Sequence, residues 1–218
     1  MAFDKVWVVV EAFDGKPLSA ALELLAKARE IGSTVEAWAW GGDVDSYAPT
    51  LGEYGASKVY SAGDLGGALP GVPVAAAMAA QMQAGNKPDA VLFSTGYDPR
   101  DIAGRLSAKL DVGVLSNVVG LSEDGTSEHA IFGGSIIVKA AFSGPTPYLY
   151  LVRPKSFAAE PGGAGAAAVE AVDVPEADSP KNAARIVQRH VEERSGPKLD
   201  EAAVVVSGGR GLGEAEKF

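Results

Sequence analysis

The stretch Val204-Val205-Val206-Ser207-Gly208-Gly209-Arg210-Gly211-Leu212-Gly213 carries the residue types best suited to holding a ligand. An apolar run there opens into glycine-rich backbone with one arginine and one serine. Glycines permit positive φ and let backbone amides come close to an anionic group, and a guanidinium adds a fixed charge. The apolar residues Ala203 to Val206 read as a buried strand, leading either into a ligand loop or into an ordinary Gly-rich tail, and residue types alone do not decide between the two. The G-x-G-x-x-G dinucleotide pattern does not fit, because Glu214 stands where its last glycine should follow Gly209 and Gly211.

Other chemistry finds little footing. With no cysteine, thiolate catalysis, disulfides, iron–sulfur ligation and zinc–thiolate sites are excluded. The two histidines, His129 in an expected strand and His190 on an expected charged helix, lack metal-site or triad spacing and read as structural or surface residues. No catalytic residue and no metal ligand set is assigned. Asp43, Asp45, Glu123 and Asp124 fall in expected loops, where turn formation explains them. The first strand-to-helix turn, Glu11 to Lys16, has one glycine and two acids, so it is neither a Rossmann fingerprint nor a P-loop. Ser94-Thr95-Gly96-Tyr97 offers hydroxyls and a glycine at a helix start, but Asp98 as its capping carboxylate would repel phosphate.

These residues need elements to position them. The 218 residues, 47% hydrophobic and 22% charged, suit an ordinary globular protein that buries roughly 70 % of its unfolded surface. The net charge of -9, from 28 acidic and 19 basic side chains, lacks the basic footprint that a nucleic acid needs. No run approaches a membrane span and no leader pattern opens the chain, so a cytoplasmic protein is expected. Val6 to Val10, Val35 to Trp40, Lys58 to Tyr60 and Ala90 to Phe93 read as strands. Leucines at helical spacing from Leu18 to Ile31, an alanine-rich stretch Val74 to Met82, and Ile102, Leu106 and Leu110 read as helices, with Pro17 in the first turn of the first and Gly32 at its end. This alternation predicts an open, mostly parallel, nucleotide-hydrolase-like (Rossmann-like) three-layer α/β sheet. The second half adds an antiparallel hairpin, expected between strands 129–142 and 148–152 because their link is short. Ala166 to Val174 reads as a further strand, and Ser179-Pro180 opens an amphipathic helix through Val191. Ser195-Gly196-Pro197 marks a linker, giving a scaffold domain over 1–195 and the start of another domain over 196–218.

Four blocks together resemble the α subunit of electron transfer flavoproteins: Ser94 to Leu110 with its R-D-I-A-G-R-L, the Phe132-Gly133-Gly134 strand, Val152-Arg153-Pro154-Lys155-Ser156-Phe157, and Val204 to Gly213. Their order matches the family along essentially the whole chain. The resemblance implies an N-terminal scaffold domain, a heterodimer with a homologous β subunit, and an FAD site built mostly by a separate C-terminal domain, with AMP on the β subunit. Arg210 matches the family arginine that contacts FAD, with Ser207, Gly208 and Gly209 lining its approach. The function implied is electron carriage from flavin dehydrogenases, such as the acyl-CoA dehydrogenases of fatty acid β-oxidation, to a respiratory quinone reductase, rather than catalysis on a substrate of its own. The sequence stops at Phe218, where the family's FAD domain continues, so a fragment or truncated relative that does not retain FAD alone is expected. Rival readings are an adenine-nucleotide-binding module of the universal-stress type and, more weakly, a nicotinamide-dependent oxidoreductase.

Overall fold

The computed structural model describes residues 3–163, 165–175, 180–188, 190, 199, 202 and 204–217. The chain divides into two compact units, Met1–Ile186 and Val187–Phe218. In chain order the first unit contains β1 (Phe3–Val9), β2 (Ala12–Phe13), β3 (Lys16–Pro17), α1 (Ser19–Ile31), β4 (Gly32–Ala39), α2 (Val44–Glu53), β5 (Lys58–Ser61) and α3 (Gly71–Gln83). It continues with β6 (Ala90–Ser94), α4 (Tyr97–Leu110), β7 (Val114–Leu121), β8 (Ser127–Ile131), β9 (Ile136–Ala140), β10 (Tyr148–Val152) and β11 (Ala168–Ala171). Among the described residues, nine strands form one sheet in the order β11-β5-β4-β1-β6-β10-β7-β8-β9, and β2 and β3 form a separate small ribbon.

The pairings β11–β5–β4–β1–β6–β10–β7 are parallel, and β7–β8 and β8–β9 are antiparallel. The expected α/β class, mostly parallel sheet and added hairpin are therefore present. Central strands such as β6 are buried along their whole length, because helices cover both faces and each apolar run has a layer to enter. One face packs Val6, Val8, Leu24, Leu25, Ile31, Leu51 and their neighbours under α1 and α2. The other packs Trp7, Trp38, Tyr60, Val74, Met78, Phe93, Ile102 and Leu106 under α3 and α4. No helix of the described residues is long and apolar enough to cross a membrane.

Several sequence expectations are corrected. The hairpin is β8–β9, and 148–152 does not pair with it: β10 inserts between β6 and β7 in parallel with both. The rule that a short link gives an antiparallel pair holds only for strands that become neighbours, and Tyr148 to Val152 is apolar enough to take a central, doubly covered place. Phe132-Gly133-Gly134 is the turn of that hairpin rather than strand, with positive φ at all three residues. Gly32 ends α1 as expected, in extended backbone, and a Cβ there would lie 2.6 Å from Val6 Cγ2. Pro17 sits in β3, ahead of the helix. Asp98 does not cap α4, which starts at Tyr97 with Gly96 before it.

A single 3-10 turn at Pro180–Asn182 stands where the amphipathic helix was expected; residues 183–188 and His190 are not helical, while Ser179 and Val191 lie outside the described residues. An amphipathic stripe holds a helix only where a surface accepts it, and Val187 is 97% exposed. Val204 to Val206 are exposed and pair with no strand among the described residues, so the strand read from their apolar character does not form there; Ala203 lies outside the described residues. The proposed division at 195/196 also lies outside them.

Candidate functional site

In an open α/β sheet the ligand crevice lies at the carboxyl ends of the two strands where the strand order reverses. Here those strands are β1 and β6: the chain winds from β1 outward to β4 and β5, then returns to place β6 on the opposite side of β1. Two segments meet at the crevice, Glu11 with the β2–β3 ribbon after β1, and Ser94-Thr95-Gly96-Tyr97 after β6.

The β1 exit holds no phosphate loop. Asp14 and Gly15, both at positive φ, turn a two-residue hairpin between β2 and β3, and Leu18 N–H donates to the Glu11 carbonyl at 2.9 Å to close its base. This fixes the Glu11 side chain across the crevice. Ser94 Oγ donates to Glu11 Oε2 at 3.2 Å, and Gly96 N–H donates to Ser94 Oγ at 3.4 Å. Glu11 lies so close to the start of α4 that a Cβ on Gly96 would sit 2.2 Å from Glu11 Oε2 and 2.9 Å from Cδ. A carboxylate of the chain itself therefore stands where the phosphate of a bound nucleotide would approach a helix N-terminus. Burial pushes the Glu11 carboxyl above its ordinary value; the Ser94 hydrogen bond opposes the shift and the Asp98 carboxylate adds to it. A second anion entering this crevice would meet two carboxylates.

The remaining sequence candidates are structural. His129 lies in β8, with Nε2 2.8 Å from Ser127 Oγ and Nδ1 2.8 Å from the Ser116 carbonyl. Asp124 accepts the Thr126 amide at 2.9 Å and makes the expected turn. The Arg153 to Phe157 loop is held on α1: the buried Glu23 carboxylate accepts the Lys155 amide at 2.7 Å, with Lys155 at φ 64, and Lys27 Nζ lies 5.2 Å from the Phe157 ring centroid. No group of carboxylates and histidines that could hold a metal occurs among the described residues.

In the second unit, Ser207, Gly208, Gly209 and Arg210 are exposed and lead into a 3-10 turn, Arg210–Leu212, closed by Leu212 N–H to the Gly209 carbonyl and Gly213 N–H to the Arg210 carbonyl, both 3.1 Å. A Cβ on Gly209 or Gly211 would meet nothing within 4 Å, so the backbone there is open to approach. A guanidinium, a hydroxyl and open backbone make a donor set that suits the anionic and polar groups of a dinucleotide. Ser207 to Arg210 are neighbours by sequence, and the Ser94 hydroxyl donates to Glu11 while accepting the Gly96 amide.

Sequence reasoning registered Glu11 only as an acid that spoils a motif and passed over Glu23 and Glu36. All three follow apolar or helical patterns whose neighbours gave no hint of a partner far away in sequence. Glu36 is 6% exposed and accepts hydrogen bonds from Trp7 Nε1 at 2.8 Å and Tyr60 Oη at 3.1 Å.

The fold defines a Rossmann-like α/β domain with the Glu11 carboxylate standing in its switch-point crevice. Residues 6–177 match the family described as the electron transfer flavoprotein domain. Proteins called electron transfer flavoprotein subunit alpha align with nearly the whole chain: that of Mycobacterium leprae is 36% identical, covering 97% of this chain and 66% of the relative. The one from Mycobacterium tuberculosis is 38% identical over 98% of this chain and 67% of its own length, and that of Syntrophomonas wolfei is 34% identical over 94% and 65%. The chain belongs to the electron transfer flavoprotein family, and it spans about two thirds of the length of these curated relatives.

Proposed function

We propose that the chain is the scaffold portion of an α-type subunit in a heterodimeric electron transfer flavoprotein. The observation that carries this reading is the alignment of nearly the whole chain with about two thirds of the length of α subunits, together with the Glu11 carboxylate in the switch-point crevice. A carboxylate held at the start of α4 repels a nucleotide phosphate, which fits a domain that does not bind a nucleotide there. The same carboxylate disfavours a universal-stress-type nucleotide module.

In this reading the complete heterodimer carries electrons between flavin dehydrogenases, such as acyl-CoA dehydrogenases, and a respiratory quinone reductase, in the cytoplasm. It has no substrate of its own. FAD supplies the electron-accepting and electron-donating chemistry when bound. Residues 196–218 begin the FAD-binding part, where the Arg210 guanidinium holds anionic groups of the dinucleotide and Ser207, Gly208 and Gly209 line its approach. This chain alone does not retain FAD, and AMP belongs to the β subunit.

The β8–β9 hairpin supports a partner. β9 is the sheet edge, Ile136, Ile137 and Val138 are 41–50% exposed, and Phe132 at the turn is 79% exposed. An edge strand with apolar side chains open to water invites pairing with another chain. The test is reconstitution: the purified chain mixed with an electron transfer flavoprotein β subunit is expected to co-elute with it in size exclusion, and separate elution at micromolar concentrations would defeat the proposal.

A further inference from the structure

The layer between the sheet and α3 holds a group that the carrier reading does not use. Trp7 of β1, Trp38 of β4 and Tyr60 of β5 pack ring against ring, with centroids 5.1, 5.7 and 4.9 Å apart, and all three are at most 1% exposed. Into this apolar cluster projects the Glu36 carboxylate, whose Oε2 accepts both the Trp7 N–H and the Tyr60 O–H. Burying a carboxylate is costly unless donors and a countercharge meet it, and Lys5 Nζ lies 3.7 Å away. Tyr60 Oη also accepts from Asn86 Nδ2 at 2.7 Å, and Lys5 Nζ donates to Asn86 Oδ1 at 2.6 Å. Lys5 and Asn86 are partly exposed, so the network runs from the aromatic cluster to water.

We propose that this cluster is a one-electron sink in which Tyr60 is the oxidisable group, Glu36 its proton acceptor, and Trp7 and Trp38 its relays. An oxidising radical of the peroxyl class takes one electron from the cluster and becomes the corresponding anion, which takes a proton from water. The Tyr60 O–H bond breaks, its proton passes to Glu36 Oε2, and a neutral tyrosyl radical and a neutral carboxyl group remain. A one-electron reductant of the thiol or ascorbate class returns the electron, and the proton goes back from Glu36 to the phenoxide oxygen.

The geometry directs the hole. Trp38 Nε1 has no hydrogen-bond partner among the described residues, so a radical cation there has no base to take its proton and passes the charge on. Trp7 N–H and Tyr60 O–H both donate to Glu36 Oε2, and the charge ends on Tyr60 because an oxidised phenol is a far stronger acid than an oxidised indole and gives up its proton to that carboxylate first. Burial, together with the Glu36 charge and hydrogen bond and against the Asn86 hydrogen bond, holds the Tyr60 phenol above its ordinary value, so it is un-ionised at neutral pH and its oxidation must release a proton.

The test is flash-quench oxidation with a ruthenium tris-bipyridine complex and a cobalt(III) pentaammine quencher, followed by freeze-quench electron paramagnetic resonance. It is run on the Tyr97→Phe chain, because Tyr97 is 92% exposed and would be oxidised directly. The expected result is a tyrosyl signal that is lost when Tyr60→Phe is added and lost in Glu36→Gln, with slower formation in deuterium oxide. A signal that persists with Tyr60→Phe, an unchanged yield in Glu36→Gln, or no tyrosyl signal at all would overturn the proposal. Should Glu36→Gln fail to fold, the isotope effect on the Tyr97→Phe chain decides alone: its absence refutes proton transfer from Tyr60 to a base.

Discussion

Glu11→Gln tests whether the crevice is closed by a carboxylate held against its own solvation. In the folded chain burial raises the Glu11 carboxyl above the 4.5 of an exposed glutamate, so the native state binds that proton more tightly than the unfolded state does. Stability from this group is therefore full below pH 4.5 and is lost as pH rises through 4.5 and the raised native value. Glutamine keeps the shape and can still accept the Ser94 hydroxyl, but it carries no charge. Glu11 keeps contact with water, so removing its charge is expected to gain only about 0.5–1 kcal/mol at pH 8, the low end of what single substitutions change. Urea unfolding of both proteins at pH 4 and pH 8 isolates the effect, because every other carboxylate is common to the two. The variant is expected to be the more stable at pH 8, with the difference vanishing at pH 4. A variant less stable than the parent at pH 8, or a difference independent of pH, would refute the reasoning.

Three further outcomes follow from particular contacts. In Gly52→Ala the new Cβ would lie 1.8 Å from the Gly165 carbonyl oxygen and 2.5 Å from Ala167 N, both backbone. The segment leading into β11 must shift, and a loss of about 1–3 kcal/mol in urea unfolding is expected; a change below about 0.5 kcal/mol would show that the segment is not held there. Replacing Phe132 and Ile137 by serine is expected to leave the melting temperature of the isolated chain unchanged while weakening β-subunit binding in calorimetry at least about tenfold, since exposed apolar anchors at an interface cost about 1–2 kcal/mol or more each when removed. Arg210→Ala, made in the complete subunit with its partner, is expected to weaken FAD retention about tenfold or more in equilibrium dialysis without altering heterodimer assembly; unchanged FAD affinity would remove Arg210 from the site.

The sequence makes the scaffold readable where burial is two-sided. Val6 to Val10 and Ala90 to Phe93 are apolar throughout because helices cover both faces, and the leucines of α1 repeat at helical spacing because one face meets the sheet. The position of β10 was not readable, since insertion between β6 and β7 depends on which gap the sheet leaves open rather than on Tyr148 to Val152 themselves. Nor was the closure of the crevice: Glu11 meets Ser94 and Gly96 across more than eighty residues of chain, and no local pattern encodes that meeting. Val204 to Val206 show the converse error, for an apolar run specifies a strand only when a sheet edge receives it. Specific blocks such as R-D-I-A-G-R-L and V-R-P-K-S-F carried the family where composition and fold could not.

The most direct measurement of the central claim is size exclusion of an equimolar mixture of this chain and an electron transfer flavoprotein β subunit, with flavin absorbance read across the peak. The account predicts a one-to-one complex that carries no flavin. Separate elution of the two proteins, or a bright yellow peak from this chain alone, would contradict it.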